Sequence, residues 1–198
     1  PVSFRAHLFF RSLQGLFAAP RLHLKDQEGT VRALFGDLTI EKGVARSPTG
    51  ERFFELLYCA CCGELFFGGV RESDPAIPGA ATLLPTDPDP ASLPGFANSG
   101  MFETLSANEF AVFWPSIPGL ELRTVGEPQE DSNTSGATWM WGHLSTRTGV
   151  VTPHPDRVLP SEENLIPGFV LNVPPNKSGT PGSAVPSQCP FCGISYAQ

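Results

Sequence analysis

Two copies of one short motif, far apart in the chain, constrain its fold more than anything else in it: Cys59-Ala60-Cys61-Cys62-Gly63 and Cys189-Pro190-Phe191-Cys192-Gly193. Each reads Cys-x-x-Cys-Gly, and residues 63–188, 126 in all, lie between the paired cysteines. The two-residue spacing lets a tight turn aim both sulfurs at one point. A glycine after the second cysteine is what a turn with positive φ selects. Two such knuckles supply four thiolates, the closed tetrahedral shell of a structural zinc ion, with no position left for a catalytic water. The gap far exceeds the 15–20 residues usual between two such pairs, so a shared ion requires a zinc ribbon split by inserted chain. Two other readings stay open at this point. The thiols are buried or oxidised, although five is an odd number and cytosolic disulfides are uncommon. Or they form a redox Cys-x-x-Cys, which normally heads a helix in a βαβ setting that this sequence lacks. Cys61 fits neither pair by spacing and reads as a non-ligating member of the first knuckle.

The rest of the chain reads as strands. "SFRAHLFF" (3–10) alternates apolar and polar residues, and "GLFAAPRL" and "TVRALFG" are short runs bounded by glycine or proline. "ERFFELLYC" and "ELFFGGV" form a hairpin with CACCG at its tip. "FAVFWPS", "LELRTVG", "ATWMWGHLS", "TGVVTPH" and "PGFVLNVP" follow as further strand-like runs. Gly 20 and Pro 21 leave little room for long helices. "SANEFAVFW" (106–114) is the best helix candidate. The stretch from 74 to 95 holds six prolines and reads as an extended loop, while "EPQEDSNTSG" and "NKSGTPGSAVPS" read as exposed loops. The expected fold is mainly β: antiparallel sheet with a split, zinc-ribbon-like four-cysteine site and long Pro/Gly-rich loops.

Composition narrows function by exclusion. Net charge is −7, whereas an autonomous nucleic-acid binder carries a basic face because phosphate contacts dominate its affinity. A small basic face of Arg5, Arg11, Arg21, Lys25 and Arg32 is the one alternative. No run approaches the 18 apolar residues of a membrane helix, and no signal peptide opens the chain. It begins on Pro1 rather than Met, which fits either processing or a piece of a longer protein. Histidines 7, 23, 143 and 154 match no metal-binding spacing; His7 and His143 read as hydrogen-bonded structural residues. Glu162-Glu163 and the Asp87/Asp89 pair sit in loop-like surroundings, where solvated charge is the ordinary reading. Trp114, Trp139 and Trp141 suit core or edge packing better than base stacking. No nucleotide-binding loop or nucleophile elbow is present, and the sequence offers no catalytic constellation.

Three stretches, "FRAHLFFRSLQGLFAA", "ELLYCACCGELFFGG" and "AVPSQCPFCGISY", together resemble a cysteine-rich segment of large bacterial superfamily 2 DEAD/DEAH-type helicases. That segment follows the second RecA-like domain in proteins with an MrfA-type zinc-binding region; the helicase of the DISARM anti-phage system is one such relative. They cover about a third of the chain. The resemblance implies Cys59, Cys62, Cys189 and Cys192 as ligands of one zinc, and marks Arg5, His7 and Arg11 as candidates for nucleic-acid contact. Relatives carry further cysteines before the "ELLYC" strand; "LFAAPRLHLKD" and "EKGVARSPTGER" contain none, so no second zinc is implied. It implies one zinc-stapled domain, 1–198, cut from a larger cytoplasmic helicase, with 70–185 as a β-rich excursion between the knuckles. ATP hydrolysis would belong to motor domains outside this chain. The chain itself would shape the DNA path or dock a protein subunit, away from any membrane. The rival readings are a free-standing zinc-ribbon adaptor and a Cys-x-x-Cys thiol oxidoreductase.

Overall fold

A computed structural model describes residues 10–21, 35–41, 43–73, 80–84, 106–116, 137–154, 156–157, 160–175, 178–180 and 182–195, with backbone alone for 10–15 and 73. All regular structure within them is strand: β1 (Phe10–Pro20), β2 (Phe35–Thr39), β3 (Phe54–Cys59), β4 (Leu65–Ser73), β5 (Ala81–Leu84), β6 (Phe110–Pro115), β7 (Thr138–Ser145), β8 (Val150–Pro153) and β9 (Leu165–Asn172). Every pairing is antiparallel. The expected mainly-β fold is therefore the observed one. The "SFRAHLFF" and "LELRTVG" strands, the "EPQEDSNTSG" loop, His7, His23 and the Asp87/Asp89 pair lie outside the described residues, apart from Phe10.

The sheet closes on itself. Strands run in the order β2-β1-β3-β4-β5-β8-β7-β9-β6, and β6 returns to pair with β4. Six strands, β4-β5-β8-β7-β9-β6, thus form a barrel, and β3, β1 and β2 extend from it as an arm. The junction is β4, which serves three partners. One edge meets β6, with Phe67 opposite Phe113 and Val70 opposite Phe110. The other edge is shared end to end. Glu55 to Tyr58 of β3 cover Leu65 to Gly68, and β5 covers Val70 to Ser73. Gly69 sits where one neighbour leaves and the next arrives. A Cβ there would stand 2.7 Å from the Leu84 carbonyl oxygen and 3.1 Å from the Leu83 Cβ. Only glycine lets β5 approach so closely.

The period of two explains why the strands are apolar on both faces. Phe67, Leu83, Ala111, Phe113, Leu144, Val151, Ile166 and Val170 come from all six barrel strands and fill the interior. The alternate residues Phe66, Phe110, Val112, Trp114, Trp139, Trp141, Phe169 and Leu171 form a second cluster on the outer wall. That wall is itself covered, by Ala184, Cys189, Phe191 and Ile194 of the C-terminal segment. A strand buried on both sides reads as a continuous apolar run rather than an alternating one. β6 is the clearest case, buried along all of Phe110–Pro115.

Two expectations are corrected here. "SANEFAVFW" is a turn followed by β6, not a helix. Ser106 and Glu109 do form a capping pair: the Ser106 N–H and hydroxyl both donate to the Glu109 carboxylate, at 3.1 and 2.6 Å. The chain then leaves the turn because Phe110 to Trp114 must alternate between two cores. The extended loop of 74–95 contains β5, with Leu83 fully buried inside the barrel. The segment read as an excursion, 70–185, carries β5 to β9, the strands that close the barrel with β4. All three tryptophans are buried, as core packing requires. Glu162 and Glu163 are exposed. His143 is buried on β7, its ring against Trp141 and stacked on His154 at 5.2 Å.

Replacing Gly69 with alanine forces its methyl group into the Leu84 carbonyl. Overpacking of this kind costs about 1–3 kcal/mol, so the unfolding midpoint should fall by about 3–10 °C. Thermal unfolding followed by circular dichroism checks this; an unchanged midpoint would show that the fork is not tight.

Candidate metal centre

Each knuckle is a closed turn with the same hydrogen bonds. In the first, the β3–β4 hairpin ends in Cys59 to Gly63. The Gly63 N–H donates to the Cys59 carbonyl at 2.8 Å, and the Cys59 N–H donates to the Glu64 carbonyl at 2.8 Å. In the second, the Gly193 N–H donates to the Cys189 carbonyl at 3.0 Å, and the Cys189 N–H donates to the Ile194 carbonyl at 2.9 Å. Gly63 and Gly193 have φ of 75° and 71°, the left-handed region where a side chain is penalised. This is the conformation expected from the glycine in the motif. The Gln188 side-chain amide ties the second turn further, donating to the Gly193 carbonyl at 2.8 Å.

The barrel brings the knuckles together despite their separation in sequence. Cys59, Cys62, Cys189 and Cys192 place all four sulfurs within 4.8 Å of one another. The arrangement is reciprocal, because the first cysteine of each knuckle faces the second of the other. Cys59 Sγ lies 3.9 Å from Cys192 Sγ, and Cys62 Sγ lies 3.8 Å from Cys189 Sγ. With metal–sulfur bonds of about 2.3 Å, the edge of a tetrahedral shell is about 3.8 Å. A disulfide would need about 2.05 Å, and all five cysteines are free. The four residues thus fit one metal ion. Cys61 is exposed and outside the cluster.

The site is half inside the protein. Cys59 and Cys189 are completely buried against Leu57, Phe66 and Trp114 of the outer wall, while Cys62 is half-buried and Cys192 exposed. Burial pushes the Cys62 thiol up; the backbone at Glu64 opposes this by hydrogen bonding, and Cys189 raises it again. Burial also raises the Cys61 thiol, followed by the neighbouring Cys192 and then Cys59. Crowded thiols resist ionisation because thiolates repel, and a divalent cation reverses that balance. The upward direction is the opposite of the depressed thiol of a reactive redox Cys-x-x-Cys.

One supporting residue escaped the sequence reading. Glu64, directly after the first knuckle, accepts a hydrogen bond from the Trp114 indole N–H at 3.0 Å. It ties the turn to the barrel wall while its backbone carbonyl holds Cys59. The available signal was position: the residue after the knuckle glycine begins the return strand next to the buried cysteine. The indole N–H groups of Trp139 and Trp141 meet no acceptor among the described residues.

Of the basic candidates, Arg21 alone is described with its side chain. Arg5 and His7, with Lys25 and Arg32, lie outside the described residues, and only the backbone of Arg11 is described, opposite Tyr58 on β3. Arg21 is engaged with acids, 3.3 Å from both Asp37 and Glu51. Burial tends to raise the Glu51 carboxyl, but hydrogen bonds from Ser47, Thr49, its own backbone and Arg21 hold it down to about 2. Arg21 therefore serves a carboxylate network rather than a phosphate site. No helix among the described residues is long and apolar enough to cross a membrane.

No family model, curated protein or solved structure matches the chain. The resemblance to helicase segments thus rests on its three stretches alone.

The geometry predicts one metal ion per chain, measured by native mass spectrometry. Cys189→Ser should abolish it, because a buried sulfur leaves the shell, and Cys61→Ser should leave it intact. Loss of the ion in the Cys61 variant would mean that the ligand set is wrong.

Proposed function

We propose that the four cysteines hold one structural zinc ion, and that the chain is a non-catalytic accessory module of an ATP-dependent DNA helicase or translocase. The observation that carries the first half is the all-sulfur shell. Four cysteines leave no open coordination position, the mark of a structural site rather than a catalytic one. Tetrahedral sulfur sites select zinc or iron, and sulfurs within 4.8 Å of one another suit a single ion rather than a multinuclear cluster. Zinc is the choice that requires no redox role. Binding at such a shell contributes on the order of 10–16 kcal/mol in small zinc domains, and here it would seal the outer wall of the barrel.

The second half rests on the resemblance of the three cysteine-bearing and opening stretches. On this reading, motor domains elsewhere in the parent protein hydrolyse ATP, and this module shapes the DNA path or docks a subunit. The −7 charge and the engagement of Arg21 with Asp37 and Glu51 favour docking over gripping phosphate. One observation supports a free-standing protein–protein adaptor as a second reading: Leu38, Ile40 and Val44, at and just beyond β2, the last strand of the arm, are each exposed.

The full gene product separates the two. The helicase reading predicts RecA-like motor motifs in the same reading frame and DNA-stimulated ATP hydrolysis. It also predicts that Cys59→Ser lowers duplex unwinding more than ATP hydrolysis. A gene product without motor motifs or ATPase activity would overturn that reading and leave the adaptor.

A further inference from the structure

At the other end of β3 from the first knuckle, the chain makes a small hairpin before the strand begins. The Ser47 N–H donates to the Glu51 carbonyl at 2.8 Å, and the Phe53 N–H donates to the Ala45 carbonyl at 3.1 Å. Between those two rungs Arg46 stands directly opposite Arg52, in a non-hydrogen-bonded pair, the kind whose side chains lie closest. Like charges placed opposite each other are destabilising. The hairpin's one acid does not relieve them, because alternation puts Ser47 and Glu51 on the other face. There Glu51 accepts hydrogen bonds from Ser47, Thr49 and Arg21. The β7–β8 turn meets the same hairpin: the Arg52 N–H donates to the Thr146 carbonyl at 2.7 Å, and Arg147 adds an exposed third arginine. Among the described residues both ion pairs belong to Arg21. Arg46, Arg52 and Arg147 therefore pair with no acid there, the exposed Glu162 and Glu163 included.

Arg46 is also held in a receptive orientation. Its Nη1 donates to the Gly50 carbonyl at 2.9 Å and to the Arg147 carbonyl at 2.8 Å, which uses both hydrogens of that nitrogen. The Nε and Nη2 N–H groups meet no acceptor among the described residues. Together they form the side edge of the guanidinium, which grips an oxyanion with two parallel hydrogen bonds. Arg52 is half-buried, and burial, followed by the nearness of Arg46, lowers its pKa from the ordinary arginine value. The result is a local excess of positive charge in a chain whose net charge is −7.

We propose that Arg46 and Arg52 form a binding site for a single phosphate group, with Arg147 at its margin. A phosphomonoester carries a charge of about −1.5 to −2 at neutral pH, which matches two facing guanidinium groups. A carboxylate would neutralise one and leave the other. One phosphate group needs no broad basic face of the kind a nucleic-acid backbone requires, so the acidic chain as a whole does not oppose the site. No cysteine takes part, and the site stands apart from the metal reading.

Isothermal titration calorimetry of the full chain with inorganic phosphate, phenyl phosphate and acetate tests this. Both phosphates should bind, and acetate should bind several-fold more weakly. Tighter binding of phenyl phosphate would support a phosphorylated ligand as the occupant, and tighter binding of inorganic phosphate the free ion. Arg46→Gln and Arg52→Gln should each weaken phosphate binding by about tenfold, the usual effect of losing a hydrogen bond to a charged group. Circular dichroism checks that each variant is folded. Arg46 is exposed, so Arg46→Gln carries the test alone should Arg52→Gln fail to fold. Undiminished phosphate affinity in Arg46→Gln, acetate binding as tightly as phosphate, or no phosphate binding by the unaltered chain would overturn the site.

Discussion

Everything in this structure depends on bringing two turns, separated by more than half the chain, to within one metal–sulfur shell of each other. A knuckle alone is only a tight turn with a left-handed glycine. Two of them become a site because the first ends the β3–β4 hairpin and the second is laid across the barrel wall that β4 begins. Reciprocal sulfur spacings of 3.8 and 3.9 Å match the edge of a tetrahedron of thiolates around one ion. Without a cation the same crowding disfavours ionised sulfur. The sulfur geometry therefore fits a single cation.

Two-sided burial links that site to the fold. The barrel interior accounts for one set of alternating residues, but Trp114, Phe169, Trp139 and Phe66 point the other way and need a cover of their own. Burying one such side chain is worth about 1.5–3 kcal/mol, so leaving the set exposed would be costly. The segment that covers it carries the second knuckle. Cys189 is at once a ligand and a core residue, and Phe191 and Ile194 pack beside it. The Glu64–Trp114 hydrogen bond joins the first knuckle to the same wall. An ion held by the four cysteines would thus fasten a layer of hydrophobic core.

Local features were legible in the sequence and long-range ones were not. The positive φ of Gly63 and Gly193 follows from the motif itself, and the β3–β4 hairpin, β7, β8 and β9 follow from short apolar runs between turn residues. The four clustered cysteines were also readable, since no other pairing of the motifs completes a shell. Barrel closure was not, because it depends on β4 finding three partners on two edges, and register between distant strands leaves no local mark. β5 was hidden because its four residues stand in a stretch of sequence rich in proline. β6 was obscured by Ser106 and Glu109, whose turn looks the same whether a helix or a strand follows. Glu64 was missed because its partner, Trp114, is fifty positions away.

The central claim is that one ion is held by four sulfurs from two distant knuckles. X-ray absorption spectroscopy at the metal edge tests it most directly, since it reports the element and its ligand shell together. The account predicts a zinc edge with a single shell of four sulfurs at about 2.3 Å. A mixed shell containing nitrogen or oxygen, or a purified chain with no bound metal, would contradict it.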